Sequence, residues 1–239
     1  MPNYMLRISF VGSRYHGWQI QPGLPTVQGT LTDALERILS HRVRLVGCCR
    51  TDAGVHARDY VANFTTHREL SEEKLLLSLN SLLPKDIGVL AVRKVPEGFN
   101  ARYSPKGKVY AYLLWNAPCR DPFLYNFSWH VPRPLDRDLM RRAVELVSGE
   151  HEFSGFAKLE GERNTRINLR VSLREEGCLL RFEFEASHFL RYMVRRITGA
   201  VVRVGMGKVS LEDIEEFLQG RKCPYSAPPH GLTLERVIL

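Results

Sequence analysis

The order of elements along the chain restricts its fold more than any single segment does. Residues 4–11 (YMLRISFV) read as a strand, 27–40 as an amphipathic helix and 43–49 (VRLVGCC) as a buried strand. Residues 59–66 alternate as a strand, 71–83 are helical until Pro84, and 87–95 (IGVLAVRKV) form a further strand. That is βαββαβ. The same order follows in residues 108–116, 136–148, 166–174, 178–186, 188–205 and 232–239, with an extra helix at 211–218 that Ser210 and Asp213 are spaced to cap. Residues 166–174 and 178–186 form a hairpin about Glu176 and Gly177. The expectation is an α+β chain of two ferredoxin-like halves, 1–104 and 105–239. The duplication rests on element order, because no sequence repeat is obvious between the halves.

Length and composition narrow the function. The 239 residues suffice for one large domain or two smaller ones, each with its own core. The cysteine count, 5, is odd and includes no CxxC pair, which points to a reducing, cytoplasmic setting rather than a disulfide scaffold or a zinc site. No apolar run approaches the roughly 20 residues of a membrane span, and MPNYMLRISF lacks the regions of a signal peptide. Lysine and arginine outnumber aspartate and glutamate by eight, 34 against 26, which favours a polyanionic partner such as nucleic acid.

The densest polar chemistry lies at 48–57, CCRTDAGVHA, directly after an apolar run. Between the second and third strands of a ferredoxin-like half this is a loop at the sheet's end, where a rigid scaffold presents reactive groups well. Asp52 can act there as a nucleophile, a general base, a metal ligand, or the acceptor that closes its own turn beside Gly54. Arg50, two residues earlier, favours the carboxylate form. A metal is not expected: His56 and His67 are available, but no cluster of carboxylates stands nearby, and HEFSG is not HExxH. GMGKVS at 205–210 lacks the first glycine and the Ser or Thr of a phosphate loop. In the segment from His188, Phe189, Met193, Ile197, Ala200, Val201 and Val204 make a core stripe. Arg191 and Arg195 stand one turn apart on another face near Arg196 and Arg203, a repulsion that an anion would offset. Tyr110 and Tyr112 share one face of their strand, where a ring either packs in the core or stacks on a base.

Together these elements resemble the tRNA pseudouridine synthase A family. RTDAGVHA (50–57) is close to its catalytic-loop motif, and YHGWQIQP (15–22), TVQGTL (26–31), FNARYSPKGKVYAY (99–112), FLRYMVRRITG (189–199) and APPHGLTLERV (227–237) resemble its other blocks. The resemblance spans nearly the whole chain. It departs at Cys49, where the family usually has Gly, at Cys48, which replaces a commonly small residue, and at Thr233, where the family usually has Tyr.

The resemblance implies an isomerase that converts uridine to pseudouridine at positions 38, 39 and 40 of the tRNA anticodon arm. It implies no cofactor, no metal, a homodimer, and a pseudouridine synthase fold in which both halves share a continuous, largely antiparallel sheet with a central catalytic cleft. Asp52 is then the catalytic aspartate acting at C1′, Tyr110 the ring that stacks on the target base, and Arg195, with Arg191 as second choice, the cationic partner of Asp52. Arg50 helps turn the nucleotide out of the stem, and His56, Arg58, Arg191 and Arg196 are expected to contact RNA. Two other readings are weaker. An RRM-type binding module would carry an RNP1 pattern, which KGKVYAYL begins and then breaks, and a metal-dependent nuclease would need clustered carboxylates.

Overall fold

The computed structural model describes residues 1–161 and 164–239. In chain order the strands and α-helices are β1 (Asn3–Phe10), α1 (Val27–Leu39), β2 (Val46–Gly47), β3 (His56–Thr65), α2 (Glu72–Leu82), β4 (Ile87–Val95), β5 (Gly107–Trp115) and β6 (Trp129–His130). They continue as α3 (Arg137–Val147), β7 (Gly149–Glu152), β8 (Arg166–Glu176), β9 (Leu179–Ala186), α4 (Met193–Gly205), α5 (Leu211–Leu218) and β10 (Leu232–Ile238). The class is α+β, with a large, mostly antiparallel sheet of ten strands. Among the described residues no helix is long and apolar enough to cross a membrane. The chain divides into two compact units, Met1–Lys106 with Leu234–Leu239, and Gly107–Thr233.

In the first unit β1 lies between β4 and β3, antiparallel to both, with Leu6 opposite Val92 on one side and Ala62 on the other. Period-two alternation puts Tyr4, Leu6, Ile8 and Phe10 in the core. Helix α1 adds Val27, Leu31, Leu35 and Leu39 at helical spacing. It opens where Thr26 Oγ1 accepts from Gly29 N and closes at Ser40 in the left-handed region, φ 59°. The strand expected at 43–49 shrinks to Val46–Gly47. The cause lies in α1, whose side chains take the backbone groups a ladder would use: Glu36 Oε1 accepts from Val43 N at 3.1 Å, and Gln28 Nε2 donates to Leu45 O at 2.9 Å.

In the second unit the strand order is β5-β9-β8-β7, all antiparallel, and short β6 pairs parallel with β5. Tyr110 faces Phe184 across the ladder and Tyr112 faces Phe182. The β8–β9 hairpin closes through Gly177 at φ 63° and Cys178, a turn that glycine allows without strain. Asp136 caps α3, and Ser210 and Asp213 form the reciprocal capping box expected for α5. One expectation needs correction: residues 188–192 are not helical, and α4 starts at Met193. Tyr192 stands at φ 65°, and the Arg191 carbonyl accepts Lys158 N at 3.0 Å, so the helix cannot extend backwards through it.

Candidate active site

The 48–57 loop is held by backbone bonds and close approach. Cys48 N donates to Val61 O at 2.9 Å, continuing β2, and then Tyr60 Oη donates to Cys49 O and bends the chain away. Asp52 O accepts Val55 N at 3.2 Å across a turn whose third residue is Gly54 at φ 80°, the position where a type II turn requires glycine. Trp18 N donates to Thr51 O at 3.2 Å, and Gly54 N to Tyr15 O at 3.3 Å. The YHGW segment therefore backs the loop from behind. A Cβ on Gly17 would stand 2.3 Å from Thr51 O, one on Gly12 2.0 Å from Val55 O, and one on Gly47 2.2 Å from Tyr60 Oη. Gly12 and Gly17 are required because two backbones touch there, and Gly47 because the Tyr60 and Trp18 side chains lie against it.

Beneath the loop, Trp18 stacks on Tyr60 with centroids 4.1 Å apart, and both rings are buried. Tyr15 Oη donates to Asp86 Oδ1 at 2.8 Å, and burial, reinforced by that bond, raises its pKa to about 12. Within this frame Thr51 is buried, Asp52 half-buried and Arg50 exposed. His56 is buried, and its Nδ1 accepts Gly12 N at 2.9 Å, which puts the proton of a neutral ring on Nε2. Arg58 is exposed and reaches Glu235 Oε1 at 3.5 Å.

In the second unit Tyr110 is buried, its ring edge-to-face with Phe189 at 4.9 Å between centroids. Tyr112, fully buried, donates to Pro228 O at 2.8 Å; burial raises its pKa strongly while the charge of Arg195 opposes the rise. Arg195 makes a reciprocal clamp with one residue: its Nε donates to Ala227 O at 2.9 Å, and its carbonyl accepts Ala227 N at 2.8 Å. Burial, followed by the Arg195 charge, lowers the His230 pKa against the opposing bond to Ser128. Arg196 donates to Ala157 O at 2.9 Å, and exposed Arg191 pairs with Glu160. All three guanidinium groups gather on Tyr192, 5.0, 5.5 and 5.9 Å from its ring centroid for Arg191, Arg195 and Arg196.

Sequence reasoning named the arginines and missed their hub, Tyr192, whose left-handed backbone has no local marker. It also gave no role to Trp18, Tyr60, Ala227 or Pro228. The resemblance had quoted the segments of three of these, but their contacts join residues distant in sequence. Among the described residues no group of three or more His, Cys, Asp or Glu side chains is placed to hold a metal ion.

Comparison with known proteins gives one consistent result. A family model described as tRNA pseudouridine synthase matches residues 7–104 and 143–238. Three relatives carry the name tRNA pseudouridine synthase A. That of Aquifex aeolicus (strain VF5) is 56% identical over 241 residues, spanning 100% of both chains. That of Methylacidiphilum infernorum (isolate V4) is 40% identical over 97% of this chain and 93% of its own, and that of Thermoanaerobacter sp. (strain X514) is 38% identical over 100% of both. Asp52 and Arg195 fall inside the stretches the family model matches, whereas Tyr110 falls between them.

Proposed function

Because the chain belongs to the tRNA pseudouridine synthase family, we propose that it isomerises uridine at positions 38, 39 and 40 of the anticodon stem-loop, with Asp52 acting at C1′ of the flipped nucleotide. The observation that carries this reading is the construction of the Asp52 loop. A half-buried carboxylate follows an exposed arginine on a turn braced from behind by Trp18 and Tyr15, with glycines wherever backbones meet. Such rigidity suits a group that must meet one sugar carbon.

The chemistry needs a carboxylate beside the positive charge that develops at C1′ when the bond to N1 breaks, as in glycoside hydrolysis. Asp52 either bonds to C1′ or assists a glycal route. The detached uracil turns, C5 bonds to C1′, the C5 proton leaves, and N1 gains a proton. Atoms and electrons balance within the nucleotide, so no redox partner enters. Tyr110 is assigned to stacking on the target base and to help with the C5 proton, and Arg195 to the cationic partner of the catalytic carboxylate. Arg50 is assigned to turning the nucleotide out of the stem.

For His56 the bond from Gly12 favours positioning of the loop over contact with RNA. Arg58, Arg191 and Arg196 remain assigned to the RNA backbone. The pair of exposed Arg58 with half-buried Glu235 spans a long 3.5 Å, and the partly exposed pair of Arg191 with Glu160 is worth at most about 1 kcal/mol, so phosphate can replace the acid. The protein is proposed to act as a cytoplasmic homodimer. The test is incubation with unmodified tRNA transcript in EDTA without cofactor, followed by mapping of pseudouridine at each position. Product at 38, 39 and 40 is expected; product elsewhere alone, or none, contradicts the assignment.

A further inference from the structure

The block FNARYSPKGKVYAY contains a turn, residues 100–104, that the reaction above does not use. Ser104 N and Tyr103 N donate to Asn100 O at 2.8 and 3.1 Å, Asn100 N donates to Ser104 Oγ at 3.0 Å, and Arg102 N to Asn100 Oδ1 at 2.9 Å. Four bonds within five residues fix the turn, yet it holds Tyr103 79% exposed. Beside it, wholly within the first unit, is a cavity of about 320 Å³ whose lining includes Arg44, Arg102, Tyr103, Asn63, Phe99 and Glu97.

The lining brings two arginines and an exposed tyrosine to one cavity. Asn63 is buried and satisfied, donating to Asn3 Oδ1 at 2.9 Å and accepting Ala101 N at 2.8 Å. Glu97 holds the amino terminus at 2.7 Å, so its charge is already countered. Elsewhere in this unit Arg7, Arg14, Arg58 and Arg93 each pair with an acid, whereas among the described residues Arg37, Arg42 and Arg68 do not. Among the described residues neither Arg44 nor Arg102 has an acidic partner within 4.0 Å. Two uncompensated guanidinium groups beside a fixed, exposed ring match a phosphodiester and its unstacked base, in a space sufficient for about one nucleotide. A free small anion would leave the ring unused, and an acidic peptide would not need it.

We propose that this cavity is a second RNA-contact site, in which Arg44 and Arg102 hold phosphate oxygens and Tyr103 stacks on an unpaired base. The inference rests on tRNA being the substrate, and the Asp52 chemistry can fail without affecting it. The test is fluorescence-anisotropy titration of labelled, unmodified tRNA over a salt series. It compares the wild type with Arg44→Gln/Arg102→Gln, Tyr103→Ala and Tyr103→Phe, each checked for an unchanged unfolding midpoint.

The double variant should reduce the slope of log affinity against log salt by roughly 1.5, the loss of two phosphate contacts. Tyr103→Ala should weaken binding roughly tenfold with the slope kept, and Tyr103→Phe should bind like wild type, because stacking needs the ring alone. Ultraviolet crosslinking should attach a nucleotide to the peptide carrying Tyr103. An unchanged slope without that crosslink, or equal losses for Tyr103→Ala and Tyr103→Phe, overturns the site even if the wild type forms pseudouridine. If the wild type forms none while these dependences hold, the Asp52 reading fails and this site stands.

Discussion

The Asp52 loop and the Arg195 segment both present charged side chains, but they are held by opposite means. The loop is fixed sterically: backbone lies on backbone at Gly12 and Gly17, and Trp18 and Tyr60 fill the space beneath. The Arg195 segment is fixed electrostatically, with guanidinium groups on carbonyls of Ala227 and Ala157 and three cations around Tyr192. Steric support fails abruptly when an atom is added or a ring removed. Polar support fails by degrees, since each bond contributes on the order of 1 kcal/mol and another donor can partly replace it. If this contrast is right, single changes near the loop should cost more than single changes near Arg195.

Trp18→Ala should show the largest effect. It removes a fully packed indole from beneath the loop, which should destabilise by about 3–5 kcal/mol and abolish turnover in any fraction that still folds. Denaturant unfolding checks it, and a loss below about 1 kcal/mol would break the comparison. Gly17→Ala should follow at about 2–3 kcal/mol, because the new methyl meets Thr51 O and φ 87° disfavours any side chain. Turnover should fall at least tenfold with it, since the displaced carbonyl directly precedes Asp52.

The polar region should respond less. Arg195→Lys keeps the charge but loses the Nε donor to Ala227 O, so unfolding should cost about 1–2 kcal/mol while turnover drops through lost geometry. Equal stability losses for Arg195→Lys and Gly17→Ala would erase the distinction between the two regions. The smallest effect concerns pH. Tyr15 has a folded pKa of about 12 against an ordinary 10, so the stability it supplies is complete below pH 10 and is lost as pH rises from 10 towards 12. Unfolding midpoints across that window should decline more steeply for wild type than for Tyr15→Phe.

The same contrast explains what the sequence could reveal. Period-two and helical patterns are local, so β1, β4, α1, α3 and the α5 capping box could be read directly. The strand at 43–49 could not, because Glu36 and Gln28 of α1 claim its backbone and nothing within the segment announces this. Phe189 and Met193 keep helical spacing across a break made by Tyr192, a residue type with no preference for φ above zero. The place of Asp52 was legible, since polar residues crowd the end of an apolar run. Its support by Trp18 and Tyr60 was not, because those contacts depend on which strands become neighbours.

Asp52→Asn tests the assignment of the catalytic carboxylate most directly. Asparagine keeps the volume and most of the hydrogen bonding of aspartate but removes the anionic oxygens, so pseudouridine formation should fall by several orders of magnitude. Affinity for tRNA should change little, because phosphate contacts from other residues supply most of it, and the unfolding midpoint should stay near that of wild type. The measurement is single-turnover formation of pseudouridine on anticodon-arm transcript, with binding and thermal unfolding followed on the same preparation. A folded, tRNA-binding, inactive variant is the predicted result. Retained turnover would remove Asp52 from the chemistry, and a collapse of the unfolding midpoint would show that its carboxylate serves to close its own turn.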